Sequence, residues 1–396
     1  MRDSLAFIFR ATVGILVGLV LLPIPVPAHP SVPDGSVIIS PRTPPTLSGC
    51  ATASAPDDST RIQQAIDAAR GTVFFKAGCY YLKHSLRLRS GLTYMGESSF
   101  FSFYGSTLVQ TALPDPSTGA GVPIFSVDGA VQSITLVGLT FDAISSAKAI
   151  AIGAMGASAI LQNSTIRGNY FLTELAECIA TPMISTRIEH NEFGVNGLPN
   201  TQHHRHIYSA YSGPLPAGAD NWIVGNAFRS ACCVAGPGGG PGSESVFFDS
   251  RAQLHITANN FEDNDADTTL DIRGAPQLSV EGNWFENNHG QAQMTLGTQG
   301  ISAYVEDNRY VMDGYNSDAC NLFVLDLEQL PSVSGVAGNL APTHVSMGFE
   351  LGGGNCATNA KLVPDKVFAG CQLTITGPFY VQGFGGAQVG GNPNCQ

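Results

Sequence analysis

The chain has 396 residues, of which 43% are hydrophobic and only 13% are charged. This much apolar sequence can form a sizeable core, which argues against a wholly disordered protein. The net charge is −12, from 19 Lys and Arg against 31 Asp and Glu. Nucleic-acid binding needs a basic surface, so no nucleic-acid partner is expected.

The N-terminus has the pattern of an export signal. Arg2 and Arg10 precede or begin an apolar region whose core runs from Val13 to Leu22, and the segment ends in Val26-Pro27-Ala28. The apolar run is short for a membrane span, and a Val-x-Ala ending suits signal-peptide cleavage. The sequence therefore predicts a signal peptide over 1–28, a secreted (extracellular or periplasmic) protein, and no membrane contact after cleavage. The alternative is an uncleaved anchor.

The nine cysteines suit an exported protein, in which disulfides form and persist. They are Cys50, Cys79, Cys178, Cys232, Cys233, Cys320, Cys356, Cys371 and Cys395. The number is odd, so at least one cysteine is unpaired or bonds outside the chain. The sequence does not specify the pairing. No Cys-x-x-Cys pair occurs, so no structural zinc site is expected.

Residues 29–55 are rich in Pro, Ser and Thr and predict an extended linker. A short helix is predicted directly after it, with Thr60 and Gln63 as a capping box. Strands are then predicted at 72–75 and 79–82 from their β-branched and aromatic residues. A helix in this place would cover the open end of a stack of strands.

A phrase of Asn, any residue and an aromatic recurs through the middle of the chain. It begins at Asn169, Asn191, Asn226, Asn259, Asn283 and Asn308. Successive Asn positions differ by 22, 35, 33, 24 and 25 residues, a period that predicts a solenoid. Each Asn can occupy a left-handed corner and stack with its neighbours, while the aromatic points into the core. We therefore interpret the phrase as structural.

The stretch from Asp57 to Glu97 resembles the opening of the pectate-lyase-like superfamily. The likeness rests on Asp57-Asp58-Ser59-Thr60, on Gly71 to Tyr80 and on Ser90 to Glu97 with their spacing, and it continues more loosely to Tyr310. It implies an all-β fold, a right-handed parallel β-helix with a short N-terminal capping helix. The superfamily includes polysaccharide lyases, glycoside hydrolases, uronan epimerases and phage tailspikes, so it implies a polysaccharide partner without specifying the chemistry.

The expected organisation is a β-helix domain over 56–318, followed by terminal coils and a C-terminal cap over 319–396. Terminal repeats must protect the open core, and four of the nine cysteines lie in this last segment. We therefore expect a cap tied by disulfides. We also expect a monomer.

The two long intervals of the repeat locate the candidate site. In a parallel stack, equivalent strand positions lie side by side, and inserted loops rise beside that face. Counting back from each Asn phrase places Tyr208, Asp249 and Asp271 on one outward face, with His206 beside Tyr208. The predicted catalytic residues are His206, Tyr208, Asp249, Arg251, Asp271 and Arg273. The predicted substrate-binding residues are His203, His204, Arg205 and Tyr211.

Three functional hypotheses follow. The first is a polysaccharide lyase or related uronan-modifying enzyme, in which Arg251 or Arg273 neutralises the uronate, His206 removes the C5 proton and Tyr208 protonates the leaving oxygen. The second is a glycoside hydrolase that uses Asp249 and Asp271 as acid and base. The third is a non-enzymatic glycan-binding or surface β-helix. We rank the lyase first.

Each of these groups also has a structural interpretation. The His203, His204 and His206 cluster could be a polar surface loop or a satisfied histidine ladder. Asp249 and Asp271 could form structural ion pairs with the neighbouring arginines. The acidic run at 262–267 could bind calcium, although a solvated corner is favoured. No other cofactor is expected.

Overall fold

A computed structural model describes most of the chain between Val32 and Ile375. The described residues are 32–42, 50, 56–97, 105–111, 122–143, 149–172, 175, 177–195, 205–211, 213, 219–229, 244–250, 252–262, 264, 268–273, 275, 277–286, 288, 292–297, 302–311, 321–325, 343–349, 361–364 and 373–375. Residue contacts divide the chain into Met1–Ser31 and Val32–Gln396. The predicted signal peptide lies outside the described residues. None of the described helical structure has the length and hydropathy needed to span a membrane.

The described residues form one α-helix and many short strands. The helix is α1 (Ser59–Ala68). In chain order the strands are β1 (Val37–Ile39), β2 (Thr72–Phe75), β3 (Gly78–Leu82), β4 (Leu86–Arg87), β5 (Thr93–Gly96), β6 (Ser106–Gln110), β7 (Pro123–Val127), β8 (Ala130–Gln132), β9 (Thr135–Val137), β10 (Leu139–Ala143), β11 (Ile150–Ala154), β12 (Ile160–Gln162), β13 (Thr165–Arg167), β14 (Tyr170–Leu172), β15 (Glu177–Ala180), β16 (Met183–Ile184), β17 (Arg187–Glu189), β18 (Glu192–Val195), β19 (Arg205–Tyr211), β20 (Asp220–Val224), β21 (Ala227–Arg229), β22 (Glu244–Ser250), β23 (Gln253–Thr257), β24 (Asn260–Glu262), β25 (Thr268–Arg273), β26 (Gln277–Glu281), β27 (Trp284–Glu286), β28 (Ala292–Gly297), β29 (Ser302–Val311), β30 (Asn321–Leu325), β31 (Thr343–Phe349), β32 (Lys361–Pro364) and β33 (Leu373–Ile375).

The strands stack into parallel sheets that run along the molecule. Sheet A has 20 strands and contains the segments on both sides of each Asn corner. Sheet B has 10 strands in the order β4-β7-β11-β15-β19-β22-β25-β28-β30-β32, and sheet C joins β8, β12 and β16. Successive coils return to sheets A and B, where their strands pair in parallel with those of the next coil. Crossovers between parallel strands are right-handed, and the fold is a right-handed parallel β-helix, as predicted.

Helix α1 lies at the N-terminal end, but its predicted capping box is wrong. The Asp57 carboxylate accepts a hydrogen bond from the Ser59 N–H at 2.9 Å, so the helix begins before Thr60. The Gln63 side chain instead accepts a hydrogen bond from the Arg87 N–H at 2.7 Å. Gln63 therefore ties the helix to β4 rather than capping its first turn.

The predicted linker contains ordered structure. Strand β1 pairs in parallel with β2, and Ile39 is buried in the core. Cys50 forms a disulfide with Cys79 of β3. Cys178 is a buried free thiol, and the other six cysteines lie outside the described residues. In the segment predicted as terminal coils and cap, β30 to β33 continue sheets A and B, while its predicted disulfides fall outside the described residues.

The Asn phrases form a continuous internal ladder, which confirms their structural interpretation. From Asn191 to Asn308, each Asn oxygen accepts hydrogen bonds from the backbone N–H and the side-chain amide of the preceding Asn, at 2.8 to 3.0 Å. The aromatic rings stack beside the ladder with centroids 4.6 to 4.9 Å apart. The stacked rings are Phe141, Phe171, Phe193, Phe228, Phe261 and Phe285.

The left-handed corner belongs to the residue before the Asn in five of the six phrases, and not to the Asn itself as predicted. These preceding residues have φ values between 54° and 64° and are Gly168, His190, Gly225, Ala258 and Gly282. The corner turns the chain there, and the following Asn side chain is then directed inward to bond the backbone of the neighbouring coil. The corner and the ladder are therefore two adjacent positions.

Candidate functional site

One outward face of sheet B brings polar residues from four coils together. The parallel register aligns Glu177 of β15 with Arg205 of β19. It also aligns Tyr208 with Phe247 of β22, and Phe247 with Asp271 of β25. Neighbouring strands lie about 4.8 Å apart, so aligned side chains are in contact. We name this surface the Arg205 face, and it comprises Glu177, Arg205, Tyr208, Glu244, Phe247, Asp249, Asp271 and Arg273.

Arg205 lies between two glutamates. Its Nε is 2.9 Å from Glu244 Oε2, and its Nη1 is 3.9 Å from Glu177 Oε1. The Glu244 side chain is only 7% exposed, whereas the Arg205 side chain is 25% exposed. The guanidinium therefore forms part of the surface, with the Glu244 carboxyl largely beneath it.

Two aromatic side chains line the centre of the face. The rings of Tyr208 and Phe247 stack with centroids 5.0 Å apart and planes at 17°. The Arg205 guanidinium carbon lies 4.5 Å from the centroid of the Tyr208 ring, and that of Arg273 lies 5.2 Å from the centroid of Phe247. Such cation–π contacts attract both guanidiniums to the aromatic rings.

Asp271 and Arg273 form a bidentate ion pair on β25. Arg273 Nη2 donates to Asp271 Oδ2 at 2.6 Å, and Arg273 Nε donates to Asp271 Oδ1 at 3.1 Å. The Asp271 side chain is 4% exposed. This hydrogen bond raises the pKa of Arg273 and stabilises the charged form of the carboxylate. The pair matches the structural interpretation considered for Asp271.

Burial shifts the two glutamates toward their protonated forms. Desolvation raises the pKa of Glu244; Arg205 opposes the shift, and the nearby Asp271 adds to it. Desolvation also raises the pKa of Glu177, again opposed by Arg205 and increased by Glu244. A carboxyl that keeps its proton at higher pH can act as a general acid.

The structure places His206 inside the stack and not on the outward face. Its side chain is 0% exposed, and its ring lies 5.7 Å from Phe193 and 5.6 Å from Phe228. His206 and the next residue, Ile207, both point inward, so the expected position beside Tyr208 on the surface is wrong. A polysaccharide on the Arg205 face does not reach this ring.

The remaining predicted residues divide into three groups. Asp249 lies on the face, is exposed, and aligns with Arg273. Tyr211 is half-buried against an apolar cluster that includes Ala219, at the far end of β19. His203, His204 and Arg251 lie outside the described residues.

The sequence interpretation missed Glu177, Glu244 and Phe247 as site residues. Phe247 and Glu244 lie on the same strand as Asp249, and Phe247 occupies the position equivalent to Tyr208. Strand alternation could therefore have identified Phe247. Glu177 comes from a coil without a long insertion, so the spacing of the repeat does not predict it as a site residue.

No group of three or more metal-ligating side chains occurs among the described residues. Glu262 of the acidic run binds Arg229 at 2.9 Å. Asp263, Asp265 and Asp267 lie outside the described residues. The structure therefore does not test whether the acidic run binds calcium.

Comparison with known proteins finds likeness in structure alone. No known family model and no curated protein matches the sequence. An exopolygalacturonase from Thermotoga maritima is similar at a TM-score of 0.49 and 11% identity, over 82% of this chain and 83% of that one. A DFA-IIIase from Arthrobacter chlorophenolicus in complex with DFA-III is similar at 0.47 and 14% identity, over 74% of this chain and 80% of that one.

A tailspike protein of an Acinetobacter phage is similar at a TM-score of 0.48 and 16% identity, over 81% of this chain and 51% of that one. The chain thus spans about half the length of that tailspike. With TM-scores below 0.5 and identities of 16% or less, these similarities do not indicate which reaction the chain performs. By its own strand order and register, the chain has the right-handed parallel β-helix fold that its resemblance to the pectate-lyase-like superfamily implies.

Proposed function

We propose that the protein is a glycoside hydrolase that cleaves a polysaccharide at the Arg205 face, with Glu244 as general acid and Asp271 as its ionised partner. The observation that carries this proposal is the contrast between the two carboxyl groups. Burial raises the pKa of Glu244, while Arg273 donates two hydrogen bonds to Asp271. Paired carboxyls in opposed environments are the usual basis of glycosidic acid–base chemistry.

Glu244 would donate its proton to the glycosidic oxygen as the bond to the sugar breaks. Asp271, on the next strand of sheet B, would then stabilise the positive charge that develops on the sugar or activate a water molecule. Glu244 takes the place of Asp249 in the predicted acid–base pair. Asp249 is exposed and so lacks the burial that favours a protonated carboxyl.

Elimination at a uronic acid has less support on the described face. The base assigned to it, His206, is buried. The two arginines of the face both contact carboxyl groups, Arg205 that of Glu244 and Arg273 that of Asp271. Each guanidinium of the face thus already contacts a carboxyl group of the protein, which gives little support for a uronate carboxylate as its partner, so we propose a neutral polysaccharide as substrate. Tyr208 and Phe247 would contact the sugars.

The first prediction concerns activity. We expect release of reducing ends from a neutral polysaccharide, and a loss of about 100-fold or more in kcat for Glu244→Gln and for Asp271→Asn. The matched control is Glu262→Gln, which neutralises a carboxylate paired with Arg229 at the same 2.9 Å on sheet A and should keep wild-type activity. The assay is a panel of neutral and uronic-acid polysaccharides, followed by reducing-end titration and by absorbance of unsaturated uronate.

The panel separates the three hypotheses. If the protein releases unsaturated uronate and this activity does not depend on Glu244, the hydrolase assignment is overturned in favour of a lyase. Saturable binding of a glycan with no product of either kind would favour a binding protein. Export and a monomeric state remain proposals as well. Amino-terminal sequencing of the protein recovered from the medium would test cleavage near Ala28, and sedimentation would test the monomer.

A further inference from the structure

His206 makes hydrogen bonds that the proposed hydrolysis does not use. The ring lies among the stacked phenylalanines of the core. Its Nε2 is 3.0 Å from the backbone oxygen of Arg229, and its Nδ1 is 2.8 Å from Ser245 Oγ. Both His206 and Ser245 are 0% exposed. A buried polar pair of this kind has no contact with substrate, so any role in the site is indirect.

The hydrogen-bond partners of the ring define which of its two nitrogens carries a hydrogen in the neutral form. A backbone carbonyl only accepts hydrogen bonds, so Nε2 carries the hydrogen that binds Arg229. In the neutral ring with its hydrogen on Nε2, Nδ1 accepts a hydrogen bond from the Ser245 hydroxyl. The hydroxyl therefore points from β22 toward β19 in one fixed direction.

This inward bond lies directly beside the outward ion pair of the candidate site. His206 follows Arg205 on β19, and Ser245 follows Glu244 on β22. The same two strands therefore make one contact inside the stack and one on the surface. A slip of one residue between strands would exchange inward and outward side chains, so a specific polar bond here would fix the alignment on which the ion pair depends.

We propose that His206 is a positioning residue that, through Ser245, holds Arg205 against Glu244 in the candidate site. The inference deepens the proposed function and its role in activity rests on that proposal. The positioning itself is a physical property of the folded protein, and it can be measured without substrate.

The expected effect follows from the charges. Arg205 lowers the pKa of Glu244 against the larger opposing effect of burial. If removal of the Ser245 hydroxyl lets the two strands shift, Arg205 lies farther from the carboxyl and its influence weakens. The pKa of Glu244 should then rise further. A purely structural role would lower stability and leave this titration unchanged.

The strand next to Ser245 suggests a conservative control. Ser245 follows His206 in the same inward position of the next coil, and the equivalent residue on β25 is Thr269, which is also 0% exposed. A threonine is therefore accommodated one coil away, and Ser245→Thr keeps the hydroxyl. Ser245→Cys keeps the size of the side chain but supplies a much weaker donor.

The experiment is a carbon-13 NMR titration of glutamate-labelled protein, with the Glu244 signal assigned from its absence in Glu244→Gln. We expect Ser245→Ala to raise the Glu244 midpoint by about half a unit or more, Ser245→Cys to give a smaller rise, and Ser245→Thr to match the wild type. An unchanged midpoint in Ser245→Ala, or in Ser245→Cys if the alanine variant does not fold, overturns the proposal.

The pH profile of hydrolysis separates this inference from the proposed function. If the upper limb of kcat moves with the NMR midpoint, both stand. If the midpoint moves but no polysaccharide is cleaved, the positioning role stands and the hydrolase proposal fails. If cleavage depends on Glu244 while the midpoint stays constant, the hydrolase stands and His206 is only a core residue.

Discussion

At the scale of single residues, the candidate site holds two carboxyls in an environment that suits their neutral form. Burial raises the pKa of Glu177 and of Glu244 above the ordinary value of 4.5. The folded protein therefore binds more protons than the unfolded chain at pH values just above 4.5. The stability that these groups contribute is fully present below this range and is lost as pH rises through it.

We accordingly expect Glu177→Gln to reduce the loss of stability as pH rises from about 4.5 toward neutrality. The measurement is the free energy of unfolding in urea at a series of pH values, with the variant compared to the wild type at each pH. Glu262→Gln serves as control because it removes a carboxylate paired with arginine elsewhere. A difference between Glu177→Gln and wild type that is constant over this range would contradict the prediction.

At the scale of the repeating element, the corner depends on the Asn ladder. Asn259 donates to the Ile223 oxygen at 2.8 Å and to the Asn283 side-chain oxygen at 2.9 Å. Its own oxygen accepts from the backbone N–H of Asn226 at 2.9 Å and from the Asn226 amide at 3.0 Å. Removing this side chain leaves at least two buried backbone groups without their partners.

Asn259→Ala should therefore lower the free energy of unfolding by about 3 kcal/mol or more, since each unsatisfied buried group costs about 1–3 kcal/mol. The adjacent Asn260 is a matched control, because its half-buried amide faces outward to Glu262 at 3.2 Å. Asn260→Ala should cost less than about 1 kcal/mol. Urea denaturation measures both losses of stability. Equal losses in the two variants would show that the ladder hydrogen bonds contribute no more to stability than the outward contact of Asn260.

Periodicity explains which parts of the element could be predicted. The Asn and aromatic positions repeat in sequence, so their places in the ladder and the ring stack follow directly from the spacing. The sequence predicts the left-handed corner one residue too late because Asn and Gly both adopt positive φ readily. His190 and Ala258 also occupy that corner, and an alanine gives no signal for positive φ.

At the scale of the whole molecule, the candidate site depends on alignment between coils. Counting from the Asn phrases predicts that Tyr208 and Asp271 lie on one outward face, and the register agrees. Simple alternation fails at His206, because it and Ile207 are both buried. The approach of Arg205 to Glu244 could not be predicted, since a long insertion of unspecified path separates these residues in sequence.

A disulfide lies at the N-terminal end of the stack. Cys50 and Cys79 close a loop with a sequence separation of 29, and Tyr81 donates a hydrogen bond to the Cys50 oxygen at 2.7 Å. These residues and Val109 form a small buried cluster. The disulfide thus joins a segment predicted as free linker to the first coils of the β-helix.

Replacing both cysteines with alanine should lower the free energy of unfolding by about 3–4 kcal/mol, the loop-closure entropy for this separation. Tyr81→Phe removes only the hydrogen bond to Cys50 and should cost about 1 kcal/mol. Because coils of a solenoid contact mainly their neighbours, amide exchange should accelerate in β2 and β3 and remain unchanged in β19, β22 and β25. Faster exchange throughout the stack would mean that the β-helix unfolds as one cooperative unit. The first coils and the candidate site would then unfold together, with the same free energy of unfolding.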